Sequence, residues 1–284
     1  MSRILVTGAS GLIGRHTLAH LVGAGFEVHA VGRSTAEPLD LLNTAAVRAA
    51  MARIRPTHLL HNAWYTEHGR FWHAPENAVW LDASKALFAA FAEAGGRRVI
   101  GVGTCAEYDW VRSDTTPWRE NDPLAPATPY GRAKNDLHQW LAGQGIDYAW
   151  ARLFLLFGPG ENPARIVPHL IRCALTGEPA RCSSGRQVRD FLSTQACGER
   201  VAAVATSNLS GAVNIASGVG LSLRDLAPLI EAATGRPLRA EFGALPDRPE
   251  DPPYMVADVA RLNALGIPTF DLKAALNIYV SGFR

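Results

Sequence analysis

Tyr130 and Lys134, in YGRAK, stand four residues apart and therefore share one face of a helix. A phenol, with an ordinary pKa of about 10, becomes a usable proton donor or acceptor near neutral pH when a lysine ammonium lies beside it. Upstream, the apolar run RVIGVGT ends at Thr104 and continues as CAEYDW, so a hydroxyl, a thiol, a carboxylate and a second phenol gather where a strand leaves a core. The Thr104 hydroxyl can hold the substrate oxygen that Tyr130 protonates, and such a trio suits proton transfer at a carbonyl. A lone YxxxK is common on solvated helices, but here a nucleotide-type turn precedes it.

That turn is TGASGLIG, in which Gly8, Gly11 and Gly14 follow RILVT and open a helix. Glycines there permit a tight turn, close backbone approach to a pyrophosphate and close helix–strand packing, while the helix N-terminus turns free N–H groups to the anion. Ser10, Leu12 and Ile13 belong to the same turn and are expected to line the ligand with it.

The elements that position these groups follow from periodicity. Short apolar runs RILVTG, EVHAVG, THLLHNA, RVIGVGT and DYAWARLFLLFG alternate with helical segments GRHTLAHLVGAG, AAVRAAMARI, AVWLDASKALFAAFAEAG and GRAKNDLHQWLAGQG. This is the pattern of βαβ units and predicts an α/β fold with a doubly wound parallel Rossmann sheet over residues 1–157. After Gly158 the texture turns rich in Pro, Gly and Arg, which predicts a smaller C-terminal substrate-binding lobe over 158–284, with some segments free to return to the sheet.

The chain has 284 residues, 48% apolar and 19% charged, with Lys plus Arg at 28 against Asp plus Glu at 26. No strong field points to nucleic acid or a membrane surface, and a small molecule is the expected partner. The four cysteines form no CxxC pair and no His stands at ligand spacing, so neither a metal site nor a disulfide framework is expected. Without a signal-peptide pattern or a membrane-length apolar run, a cytoplasmic location is expected.

The GxxGxxG turn together with T-x-x-x-Y in TCAEY and YxxxK resembles the extended branch of the short-chain dehydrogenase/reductase superfamily, over Arg3 to about Leu265. The resemblance implies NAD or NADP as cofactor and Thr104, Tyr130 and Lys134 as the catalytic residues, with Lys134 also holding the cofactor. It implies cofactor contacts from Asp40 and Leu41 in PLDLL and from Asn62 and Ala63 in HNA, where Trp64 replaces a family alanine and narrows the loop. At the end of the second strand, Gly32-Arg33-Ser34 lacks the acid that would select a free ribose 2′-hydroxyl. The Arg33 fork and Ser34 suit a 2′-phosphate instead, which favours NADP.

Segments of the second half resemble nucleotide-sugar enzymes: Arg152 before GPG, QVRDFLST, and Asn214-Ile215-Ala216-Ser217-Gly218. Asn162, Arg189 and Arg248 are the expected substrate-binding residues, the two arginines neutralising a diphosphate, with Tyr108 and Glu107 at the pocket edge. Family dehydratases carry an acid two residues after the threonine. Here Cys105-Ala106 follows Thr104, and Glu107 is one step out of register, which disfavours dehydration. The favoured activity is an NAD(P)-dependent oxidoreductase on a nucleoside-diphosphate sugar, a 4-ketosugar reductase. The alternatives are a sugar epimerase with tightly held NAD and a non-catalytic NAD(P)-sensing regulator. A homodimer is expected from the resemblance.

Overall fold

Seven parallel strands make the central sheet of the computed structural model, which describes residues 2–112, 114–248 and 251–283. Numbered in chain order, they are β1 (Arg3–Thr7), β2 (Glu27–Gly32), β3 (Glu37–Pro38), β4 (His58–His61), β5 (Arg98–Thr104), β6 (Asp147–Leu153) and, from the second half, β10 (Gly211–Ile215). Their order is β10-β6-β5-β4-β1-β2-β3. From β1 the chain steps outward to β2 and β3, then crosses back to β4, β5 and β6. The order thus reverses between β1 and β4, the switch point at which parallel sheets open a ligand crevice beyond the strand ends.

Both faces of the sheet are covered, as an all-parallel sheet requires. Ile4 and Val6 pack with Leu21 of α1 (Gly14–Gly23) and Val201 of α6 (Thr194–Thr206). Leu5, between them, packs on the other side with Val47 of α2 (Thr44–Ile54), Leu87 of α3 (Glu76–Glu93) and Leu137 of α4 (Pro129–Ala142). The period of two along β1 therefore divides the core into its two layers. β5, at the middle of the sheet, is buried at every residue.

DYAWARLFLLFG does not form one strand. It breaks at Phe154 into β6, paired with β5 and β10, and β7 (Leu155–Phe157), paired with β9 (Val188–Ser193) in a separate sheet. The apolar run is continuous because both pieces are buried, and burial alone carries no mark of the change of sheet. The second sheet also takes β11 (Gly220–Ser222) and β13 (Tyr254–Met255), while β8 (Ala180–Cys182) pairs with β12 (Ala240–Phe242). With α5 (Ile166–Thr176), α7 (Leu223–Thr234), the short α8 (Ala260–Asn263) and α9 (Leu272–Ser281) these strands build the smaller lobe. Residues 194–215, as α6 and β10, return to the large sheet between lobe elements. In α9, Asp271 caps the first turn by accepting from the Ala274 amide at 3.0 Å, and Leu276, Tyr279 and Val280 seal the lobe core. Among the described residues no helix is long and apolar enough to cross a membrane.

Candidate active site

The turn between β1 and α1 leaves no room for side chains. Gly8 takes φ +63°, and a Cβ there would lie 2.8 Å from the Ala63 amide nitrogen; on Gly14 it would collide with the Gly8 carbonyl oxygen. On Gly11 it would stand 3.0 Å from the same oxygen. Ile13, whose side chain has no acceptor, occupies the N-cap of α1, and the Arg15 and His16 amides of the first turn donate to the Gly11 and Ile13 carbonyls at 3.4 and 2.9 Å. Beside the turn, both amide atoms of Asn62 are buried and unpartnered among the described residues. A tight glycine cradle and an orphaned side-chain amide at the switch point fit a dinucleotide.

Behind the cradle, a chain of hydrogen bonds fixes β4 against β1. The Ala63 amide donates to Thr7 Oγ1 at 3.3 Å, Thr7 Oγ1 lies 2.8 Å from His61 Nδ1, His61 Nε2 lies 2.9 Å from Ser84 Oγ, and Ser84 Oγ donates to the Trp80 carbonyl at 2.6 Å. Each group is used once only if the imidazole is neutral, accepting at Nδ1 and donating at Nε2. Burial, aided by the Lys134 charge, pulls the His61 pKa down to about 3. His138, stacked on Trp150 with ring centroids 5.0 Å apart, is pulled down to about 4 by burial and the Arg152 charge. Between these values and the ordinary 6.5 the unfolded chain binds more protons than the folded one, so stability falls as pH falls through that window. Denaturant midpoints measured from pH 7 to 4 are expected to drop steadily below about 6.5, the ordinary histidine value, and His61→Gln to flatten part of the slope.

At the end of β2, Arg33 and Ser34 are both exposed. Asp40 is exposed and its Oδ1 accepts from the Leu42 amide at 3.0 Å, a turn that buries Leu41 behind it. Ser10 is exposed, and Leu12 and Ile13 are half-buried at the mouth of the glycine turn.

The chain brings Thr104, Tyr130 and Lys134 together where β5 meets α4. Thr104 ends the buried strand and caps a single 3-10 turn, Cys105–Glu107, accepting from the Ala106 amide at 3.2 Å. Its hydroxyl is near enough to the Tyr130 phenol to favour the ionised form of that group. Burial pushes that phenol above its ordinary range, against the influence of the Thr104 hydroxyl, with Glu107 and Cys105 acting in the same direction as burial. Lys134 is buried, its Nζ donates to the Val102 carbonyl at 2.8 Å, and burial lowers its pKa to about 7 against the opposing charge of Glu107. Around the phenol stand Phe71 and Trp72, edge-on at 4.9 and 5.6 Å, and Trp110 meets Trp72 at 6.1 Å. These rings come from irregular segments whose spacing carries no helical or strand period, and sequence reasoning passed over them.

Two expectations fail at the strand end. Tyr108 is not at a pocket edge: it is wholly enclosed, tilted by 31° against Trp118 with ring centroids 4.9 Å apart, and its hydroxyl donates to Asn214 Oδ1 at 2.7 Å. A phenol so enclosed and bonded is not available to a substrate. Glu107 is likewise internal. Its carboxylate accepts from the Thr104 amide at 2.8 Å, Trp150 Nε1 at 2.9 Å and Arg152 Nε at 2.8 Å. The one-residue displacement turns it inward, into the core and not along the rim.

On the substrate side, Arg189 is mostly covered, donating to the Val188 and Pro252 carbonyls at 2.9 and 2.7 Å and lying 3.6 Å from Asp251. Its charge is felt at Cys105, next to Thr104, although burial still pushes that thiol up to about 12. Arg248 is exposed, and its carbonyl accepts from the Asp251 amide at 3.1 Å. Asn162 is exposed, with Oδ1 accepting from Ala164 at 2.9 Å. The two lobe segments read from resemblance meet at Asp190, which accepts from Ser217 N and Oγ at 2.8 and 2.5 Å and from the Gly218 amide at 2.9 Å.

Comparison with known proteins agrees with this geometry. The model of the NAD dependent epimerase/dehydratase family matches residues 4–216. Over 144 residues the chain is 35% identical to a probable dTDP-4,6-dihydroxy-2-methyloxan-3-one 4-ketoreductase of Streptomyces antibioticus, covering 48% of this chain but only 45% of that relative. It is 26% identical over 305 residues to a UDP-glucose 4-epimerase of Azospirillum brasilense, covering 92% of this chain and 85% of the relative. Among solved structures, MoeE5 in complex with UDP-glucose and NAD is similar over 100% of this chain and 99% of its own, with a TM-score of 0.84 and 26% identity. Since the family match takes in well over half of the sequence, and with it the glycine turn, the strand-end threonine and YxxxK, the chain belongs to the NAD-dependent epimerase/dehydratase family of extended short-chain dehydrogenases/reductases.

Proposed function

We propose that this enzyme is an NADPH-dependent 4-ketoreductase of a nucleoside-diphosphate sugar. The observation that carries the reading is the exposed Arg33-Ser34 pair at the end of β2, where the position of a ribose-binding acid is taken by Gly32. Arginine and serine at this place suit a 2′-phosphate, and NADPH is the form consumed in one-way reductions. Two further features support it: Cys105 and Ala106 stand where a dehydratase needs an acid, and a relative 35% identical over 144 residues is a probable 4-ketoreductase.

The glycine turn, Arg33, Ser34, Asp40, Leu41, Asn62, Ala63 and Lys134 would hold the cofactor, which supplies the hydride when bound. The chain's own part is the proton. Thr104 orients the carbonyl oxygen and Tyr130 gives that oxygen its proton; burial pushes the phenol up, and a cation beside it, the part proposed for the Lys134 ammonium, acts in the opposite direction. Arg189, Arg248 and Asn162 belong to the same proposal as contacts of the substrate diphosphate and sugar, and pairing of two copies goes with it as the expected assembly, checked by light scattering.

Mass spectrometry of the co-purifying cofactor, followed by NADPH oxidation assays with dTDP-, CDP-, GDP- and UDP-4-ketosugars, tests the reading. Arg33→Asp is expected to shift the NADPH-over-NADH preference by about 10- to 100-fold, the worth of one charged hydrogen bond to phosphate. Retained NAD, with sugars interconverted in the absence of NADPH, would establish an epimerase instead. That second reading draws on the similarity to the Azospirillum epimerase and to MoeE5 in its NAD complex.

A further inference from the structure

Lys134 carries an unusual neighbour. Its Nζ sits 3.9 Å from the centroid of the Trp64 ring, over the indole face. Both residues are nearly covered, Lys134 at 2% exposure and Trp64 at 9%. Among the described residues the ammonium meets one hydrogen-bond acceptor, the Val102 carbonyl at 2.8 Å, so two of its three donors have no protein acceptor. A desolvated cation in that position gains from the negative face of an indole, the strongest of the aromatic partners.

The other edge of the same indole is tied to the Tyr130 side of the site. Trp64 Nε1 donates to Asn77 Oδ1 at 2.9 Å, and Asn77 Nδ2 donates to the Phe71 and Ala74 carbonyls at 2.7 and 2.9 Å. Asn77 is 2% exposed, in the first turn of α3. The loop it clasps supplies the Trp72 carbonyl that accepts from the Tyr130 amide at 3.1 Å, which satisfies one of the open donors at the start of α4. The rings of Phe71 and Trp72 then wall the phenol.

We propose that Trp64 is a positioning residue for the Tyr130–Lys134 pair, its face seating the lysine ammonium and its N–H, through Asn77, fixing the loop that seats the tyrosine. The proposal rests on Tyr130 and Lys134 acting as the proton-transfer pair. The other titratable groups felt at Lys134 are Glu107, from the turn after β5, which favours its charge, and His61 of β4, held neutral between Thr7 and Ser84.

The chain has three lysines, Lys85, Lys134 and Lys273, so lysine labelled with 13C at Cε gives a spectrum of three resolved ε-methylenes, assigned with Lys85→Arg and Lys273→Arg. In the whole wild-type protein the Lys134 ε-protons are expected upfield, displaced by the indole ring current, with a titration midpoint near 7. Trp64→Phe keeps a π face and should retain a reduced displacement. Trp64→Leu should abolish the displacement, lower the midpoint by about one pH unit and move the alkaline limb of kcat down with it. In the same variant kcat should fall about tenfold or more while KM stays within about twofold.

A wild-type Lys134 resonance without upfield displacement overturns the proposal, and so does a Trp64→Leu midpoint equal to wild type. If Trp64→Leu does not fold, the wild-type displacement and the Trp64→Phe titration decide. Should the displacement be present while no nucleotide-sugar is turned over, the catalytic reading fails and the seating of Lys134 by Trp64 stands as measured.

Discussion

Tyr130→Phe lowers kcat by about 10²- to 10⁴-fold, the range that one positioned proton donor contributes, and leaves the folding midpoint close to wild type. The ring is what the structure packs, edge-on to Phe71 at 4.9 Å and to Trp72 at 5.6 Å, and phenylalanine preserves both contacts. Only the hydroxyl is lost, and the Thr104 Oγ keeps the Ala106 amide as donor. KM for the sugar should change little, because the diphosphate contacts proposed for Arg189 and Arg248 lie elsewhere. Steady-state assays on the purified variant, with a thermal melt alongside, check both halves. More than a tenth of wild-type turnover in the variant would remove Tyr130 from the mechanism.

Glu107→Ala destabilises the fold by about 3–5 kcal/mol, the cost of leaving a buried charge without its partner. Glu107 and Arg152 have side chains at 0% and 1% exposure, with Nε and Oε2 2.8 Å apart. Arg152 reaches on to the Glu120 carbonyl at 2.9 Å and to the Tyr108 hydroxyl at 3.3 Å, so the pair ties the strand-end turn to β6 and to the segment before α4. Arg152→Met should cost a similar amount, and Glu107→Ala with Arg152→Met together should cost clearly less than the two single changes added, since the second removal relieves the orphan left by the first. Urea unfolding of the four proteins measures this cycle; strict additivity would contradict it. Because Glu107 also accepts from the Thr104 amide, the single variants should lose activity as well as stability.

Much of the large sheet is legible along the chain because its signals are local. β2 and β5 lie where their apolar runs do, and α1 to α4 follow their helical periods to within a few residues. The crowded glycine turn and the Tyr130–Lys134 spacing are local too, one dictated by backbone clearance and the other by helix pitch. At residues 147–158 the same signal misleads: an apolar run reads as one strand, yet Phe154 divides it between two sheets, and only the partners available in space decide where.

The strand end GTCAEYDW shows the same division at the level of single side chains. Residue types alone place a hydroxyl at Thr104 and no acid at Cys105 or Ala106. They do not say that Glu107 and Tyr108 turn inward, because their partners, Trp150, Arg152 and Asn214, lie 43, 45 and 106 residues away. Nor do they reveal that Trp64 seats Lys134 across a gap of seventy residues. The sequence by itself determined the βαβ series, the crowded glycine turn and the placing of Tyr130 and Lys134 on one helix face, since each is written in neighbouring residues through backbone sterics and periodicity. Tertiary structure alone decided which polar groups face the site and which are consumed inside, because a buried carboxylate or phenol must find its hydrogen-bond partners wherever the chain brings them.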